Sequence, residues 1–169
     1  MHNSIYLRVE DVTGEAKDGG HKEWIDVQHF QWQLRQPTEN GVGGGGGSGR
    51  LMVRDLEVFA RLDKAMPTMM TLGARGSRLK TVTVALSKAG SGQKDYLNIT
   101  LKNVILSGVE MMKYTGAGGM EGNAVAAGAM GVVYRFSPSL VEVNYYEQNE
   151  DGEPGAPVTF NWDVKGNVQ

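Results

Sequence analysis

Six stretches of this chain alternate apolar and polar residues with a period of two, and that alternation limits the fold more than any other feature. Ile5, Leu7 and Val9 alternate with Tyr6, Arg8 and Glu10, and Phe30, Trp32 and Leu34 with His29, Gln31, Gln33 and Arg35. The same pattern recurs at Val82–Leu86, Leu97–Leu101, Val141–Tyr145 and Val158–Val164. A strand sends successive side chains to opposite faces, so each run offers one face to a core and one to water. Glycine-rich turn signals at 89–92 and 151–155 separate the runs. The fold class that follows is mainly β, an antiparallel barrel or sandwich of about seven or eight strands. Ile25 and Val27 share parity with His29 and not with Phe30, so a bulge near Val27–Gln28 is expected.

Residues 63–74 break the pattern and read as one short α-helix. Asp63 is placed as the N-cap, and Pro67 suits a first turn. Met66, Met69, Met70 and Leu72 supply the buried stripe, and Gly73 or Gly76 ends the helix.

The 169 residues fit one domain, 1–169, with flexible loops expected at about 38–50 and 113–131. Seventeen Lys and Arg against 19 Asp and Glu leave no basic excess for nucleic acid. There is no cysteine, which excludes disulfides, thiolate chemistry and Cys-based metal sites. No apolar run approaches the ~18 residues of a membrane helix. Met1–Ser4 leads straight into the first strand with no signal-peptide pattern, so any export is expected to use another route.

Much of the glycine, 24 residues in all, is clustered at 41–49 and between Gly116 and Gly131. Gly44 to Gly49 has the spacing of a phosphate-binding loop, but Arg50 and Leu51 stand where Lys and Ser or Thr are required. The segment also leads into a strand, so no helix N-terminus points at an anion. Gly43, Gly44, Gly45, Gly46, Gly47, Ser48 and Gly49 are therefore read as a contact loop that orders on assembly. His2, His21 and His29 show no metal-ligand spacing, and His21, in the polar stretch Lys17 to Glu23, is expected in solvent. There is no Gly-x-Ser-x-Gly elbow, and Glu10, Asp11, Glu57 and Asp63 are scattered carboxylates without a legible pairing. No catalytic, cofactor or metal residue is assigned. Met111, Met112, Met120 and Met130 flank the second glycine cluster and divide evenly between core and interface roles.

Ile5-Tyr6-Leu7-Arg8-Val9, followed by Gly14-Glu15, Asp18, His21-Lys22, Ile25-Asp26-Val27 and Trp32, resembles the opening of the haemolysin-coregulated proteins (Hcp) of type VI secretion systems. The glycine loop at 41–49 falls where that family has its long extended loop. Asp63-Lys64 with Pro67 resembles the family's helix entry, Lys88-Ala89-Gly90 with Tyr96, Ile99 and Leu101 its central hairpin, and Pro157-Val158 to Trp162 its last strand. The resemblance spans nearly the whole chain. Two places depart from it: Met66 stands before Pro67 where Ser is common, and 113–131 is a Gly/Ala/Met-rich segment where the family more often has a shorter polar connection.

The resemblance implies a homohexameric ring, with rings stacked into a hollow tube inside a contractile sheath and tipped by a spike protein. It further implies synthesis in the bacterial cytoplasm, secretion on sheath contraction to the exterior or into a target cell, and small effector proteins held in the lumen. No nucleic-acid partner and no membrane insertion are expected. With Phe30, Trp32 and Leu34 in the core, period two sends His29, Gln31, Gln33 and Arg35 to the opposite face, which is expected to line the lumen and meet cargo. Two alternatives remain. A tail-tube protein of a phage or related injection particle shares this physics, and a non-assembling ligand-binding β-barrel predicts a monomer with a closed apolar cavity.

Overall fold

The computed structural model describes residues 3–38, 49–88, 94–114 and 129–169. Within them lie ten strands and one helix: β1 (Asn3–Val9), β2 (Ile25–Gln31), β3 (Leu34–Arg35), β4 (Met52–Val53), β5 (Leu56–Arg61), α1 (Ala65–Ala74), β6 (Leu79–Lys88), β7 (Asp95–Lys113), β8 (Met130–Ser137), β9 (Leu140–Gln148) and β10 (Pro154–Asp163). Every strand pairing is antiparallel. The mainly β class with one short helix is borne out. The strand order β6-β1-β2-β5-β8 is closed into a barrel by β7, which pairs with both β6 and β8.

The 19 residues of β7 make this closure possible. Leu97–Lys102 hold β9, and Ile105–Lys113 hold β8. The pairs Ile105 with Ser137 and Lys102 with Leu140 follow one register. Ser139 bridges the gap between them, its N–H donating to the Lys102 carbonyl (3.3 Å) and its hydroxyl to the Asn103 carbonyl (2.8 Å). β8 and β9 thus act as one long strand along β7, interrupted at Pro138, which has no N–H to donate. Asn103 bends β7 opposite this interruption, at φ 51°, a left-handed conformation that asparagine tolerates. Past the interruption β9 leaves the barrel and carries β10 with it as a two-stranded flap.

The inward faces meet in one core that includes Leu7, Ile25, Val58, Val82, Leu101 and Tyr134. Side chains fill the barrel, as expected for one of this size. The bulge expected near Val27–Gln28 is present: Val27 pairs with Ala60, but His29 pairs with Phe59. β5 and β8 were not among the six alternating runs. Phe59 and Val133, paired with each other away from the core face, make both faces of those strands look apolar.

α1 packs on β7. Ala65 and Met69 are buried and Met66 and Leu72 partly so, whereas Met70 of the expected stripe is exposed. Lys64 precedes the helix with backbone angles that are already helical and no capping side chain, and Asp63 does the capping. Its carboxylate accepts the N–H of Ala65 (2.9 Å) and of Glu15 (3.1 Å), while the Glu15 carboxylate accepts the N–H of Lys64 (3.0 Å). At the other end Gly76 adopts φ 64°, with Ser77 N–H donating to the Leu72 carbonyl and Gly76 N–H to that of Gly73. This is the paired-bond stop that glycine permits. No helix among the described residues is long and apolar enough to cross a membrane.

Candidate assembly and cargo surfaces

The flap extends the core face of the sheet beyond the barrel. Cross-strand register sets Val84, Ile99, Val143 and Phe160 in one row and Leu86, Leu97, Tyr145 and Val158 in the next. Each row starts inside the barrel and runs outward. In the second, exposure climbs from 8% at Leu86 to 49% at Tyr145 and 73% at Val158. A third row ends on Trp162, whose ring lies parallel to that of Phe160 at 6.3 Å. An apolar face continuous with the core therefore loses its cover within two strands. Two strand edges are also open among the described residues: the outer edge of β10 as far as Trp162, with Asp163 bridged to Val168, and the edge of Ile105–Lys113 opposite β8. Such edges offer unpaired N–H and C=O groups to another chain. Met111, Met112 and Met130 are exposed on this arm and so are not core residues, and Met120 lies outside the described residues.

The polar face behaves as expected only up to residue 32. Phe30 pairs with core-facing Val58, and Phe30 and Trp32 pack against the core, while His29 and Gln31 point away from it. The expected core placement of Leu34 is corrected. β2 ends at Gln31, and Leu34-Arg35 joins Met52-Val53 in a separate ribbon, where Leu34 is 40% exposed. A change of sheet resets the parity. Gln31, Gln33 and Arg35 nevertheless line one groove of about 600 Å³ with Trp32, Val53, Arg54, Asp55 and Glu57. The Trp32 indole N–H donates to the Arg54 carbonyl (3.0 Å) and fixes one wall. Arg135 bridges Glu110 (2.9 Å) and Glu57 (3.0 Å), and these two hydrogen bonds hold its pKa above the ordinary value. Asp55 accepts the Ser107 hydroxyl (2.6 Å). His29 is not in the groove. Its ring stacks on Phe59 with centroids 3.8 Å apart, and burial pushes its pKa down.

Gly43 to Ser48 lie outside the described residues. The C-terminal foot of their loop is anchored. The Gln36 amide donates to the Gly49 carbonyl, and the Arg50 guanidinium donates to the carbonyls of Val164 (2.7 Å) and Lys165. Leu51 N–H donates to the Asn167 side chain (3.2 Å). The loop's foot thus sits on the turn that follows β10. His21, expected in solvent, is instead 3% exposed, held between Asp18 and Asp95. Asp95 is 74 residues away in sequence, so no local pattern signals the contact. Among the described residues no group of three or more His, Asp or Glu is placed to hold a metal.

Residues 6–145 match the family model described as "Type VI secretion system effector, Hcp". Over 171 aligned residues the chain is 35% identical to Protein hcp1 of Pseudomonas aeruginosa, covering 100% of this chain and 99% of that protein. The chain belongs to the Hcp family. Hcp is a family of secreted type VI proteins and not a family of enzymes. Solved structures agree in fold. One titled "Structure of a type six secretion system protein" superposes with a TM-score of 0.83 at 20% identity over 97% of each chain. Hcp1 from Salmonella typhimurium superposes with a TM-score of 0.73 at 21% identity over 99% of each. The Hcp resemblance carried by Ile5–Val9, His21-Lys22 and Trp32 is borne out. The family match stops at Tyr145, so β10 and the outermost part of the apolar flap lie beyond it.

Proposed function

We propose that this Hcp protein is a structural tube subunit of a type VI secretion system. Six copies form a ring, rings stack into a hollow tube, and the tube leaves on sheath contraction with effectors in its lumen. The protein acts by assembly and not by catalysis. The observation that carries this reading is the flap, where an apolar sheet face runs from the closed core to a valine left 73% exposed, beside an open strand edge. A neighbouring copy laid on that face would bury Tyr145, Val158 and Phe160, each apolar side chain contributing roughly 1.5–3 kcal/mol when fully covered. The foot of the glycine loop sits beside the end of β10, so the same neighbour meets the loop; this supports Gly43–Gly49 as an assembly element. The ligand-binding barrel is disfavoured because side chains of the barrel strands, among them Tyr134, Phe136 and Leu101, pack into one core.

The groove of Gln31, Gln33 and Arg35 is the proposed cargo surface, with amides and a guanidinium as its hydrogen-bonding groups. Spike and sheath proteins are the further partners. Native mass spectrometry tests the reading: the purified chain runs as a hexamer, and a monomer at every concentration contradicts it. Gln31→Glu then leaves hexamers intact and reduces co-purification of a verified cargo.

A further inference from the structure

Three parts of the chain meet at His21, and the proposed ring contacts make no use of it. Residues 10–24 form a loop that folds back on itself. Gly14 N–H donates to the Glu23 carbonyl (2.7 Å), Glu23 N–H to Ala16 (2.9 Å) and Ala16 N–H to Trp24 (2.9 Å). This closed loop presses the His21 ring onto Tyr6 of β1, stacked at 4.3 Å, with the Trp24 ring edge-on at 4.9 Å. Nδ1 lies 2.7 Å from Asp18 Oδ2 in the same loop. Nε2 lies 2.8 Å from Oδ1 of Asp95, the first residue of β7. The Ser87 hydroxyl of β6 donates to that same Asp95 oxygen (2.5 Å).

An ionised carboxylate only accepts hydrogen bonds, and a neutral imidazole has one N–H to give. Two carboxylates on opposite sides of the ring therefore require both nitrogens to donate, which only the imidazolium does. The surrounding groups agree with a cation here. Tyr6 is held above its ordinary pKa by burial first and then by the charges of Asp18, Asp26 and Asp95, so its phenol stays neutral. Arg61 faces Asp26, while Arg8 and Lys88 are turned to the rings of Trp24 and Tyr96.

We propose that His21 is a protonation-gated clasp: as imidazolium it fastens loop 10–24 to the start of β7, and losing its proton releases the loop. The clasp is complete while the ring is charged and both aspartates are ionised. Its reach extends past the loop. Lys94, next to Asp95, pairs with Glu153 in the β9–β10 turn, so the clasp stands at the end of the barrel that also holds the flap's turn.

Nitrogen NMR of the full-length protein at about pH 7 reads the ring directly. Both His21 nitrogens are expected to be protonated, and one bare nitrogen overturns the proposal. Amide hydrogen exchange over 14–24 reads the consequence. At about pH 6, His21→Gln is expected to speed exchange about 10-fold or more relative to the wild type, as loss of charge-assisted hydrogen bonds implies. At about pH 10 the gap is expected to close to within about twofold, as gating by that proton requires. Asp95→Asn gives the same pattern from the other side of the contact. Equal gaps at both pH values overturn the gating, and no gap at either overturns the clasp.

Discussion

Leu86, Leu97, Tyr145 and Val158 stand side by side on four neighbouring strands, yet the first is 8% exposed and the last 73%. The two inner positions belong to the barrel and the two outer ones to the flap. All four obey the same alternation, and all four point to the same side of the sheet. Periodicity thus says which residues share a face, and tertiary closure decides whether that face is covered. The barrel covers its own face by bringing β7 round to β8. β9 and β10 have no such return, and their apolar side stays uncovered in the single chain.

Substitutions separate the two regions by what they damage. The largest effect on the fold is expected inside the barrel. Leu101 is fully buried, with β6 on one side of its strand and β9 on the other. Leu101→Ala is expected to cost about 2–5 kcal/mol in urea unfolding, whereas truncating a half-exposed flap residue such as Tyr145 costs far less. Next comes Gly14→Ala. Its methyl would stand 2.3 Å from the Trp24 carbonyl oxygen, a backbone atom that cannot swing away, so a loss of about 1–3 kcal/mol is expected in the same measurement. Arg135→Ala removes a cation bridging two carboxylates at a site about one-third exposed, where solvent screens the pair. Its cost is expected at about 0–1 kcal/mol.

A smaller, pH-dependent effect follows from His29. Its lowered pKa means that the unfolded ring takes up a proton first as pH falls through about 6.5, and the folded ring only at lower pH. The unfolded state then binds more protons, so this residue's contribution to stability declines as pH drops below that point. His29→Phe is expected to remove that decline from the urea midpoint measured across the range. An unchanged slope would place its origin elsewhere in the molecule.

Much of the barrel was legible because half-buried antiparallel strands write their burial directly into alternation. β1, β6, β7, β9 and β10 all fall on alternating runs, and the parity break at Val27 correctly signals the bulge. The helix was legible from its breakers, with Gly76 as the stop. The pattern misleads where the chain changes sheet, as at Leu34, whose alternation continues although its strand has ended. It is silent where partners are distant. His21 looks like a solvated polar residue until Asp95 and Tyr6 are brought to it. Of the four residues proposed for the cargo face, Gln31, Gln33 and Arg35 share a groove, and His29 leaves the set because Phe59 lies across the strand pair within stacking distance.

In the proposed assembly the barrel stands alone and the flap takes a second copy. Light scattering on the wild type and Val158→Glu, paired with urea unfolding, tests it most directly. Val158 is mostly exposed, so the charge is expected to change subunit stability by no more than about 0.5 kcal/mol. A wild-type hexamer and a folded Val158→Glu monomer with nearly the same urea midpoint are expected. A Val158→Glu variant that still forms the ring, or one that unfolds instead of dissociating, contradicts it.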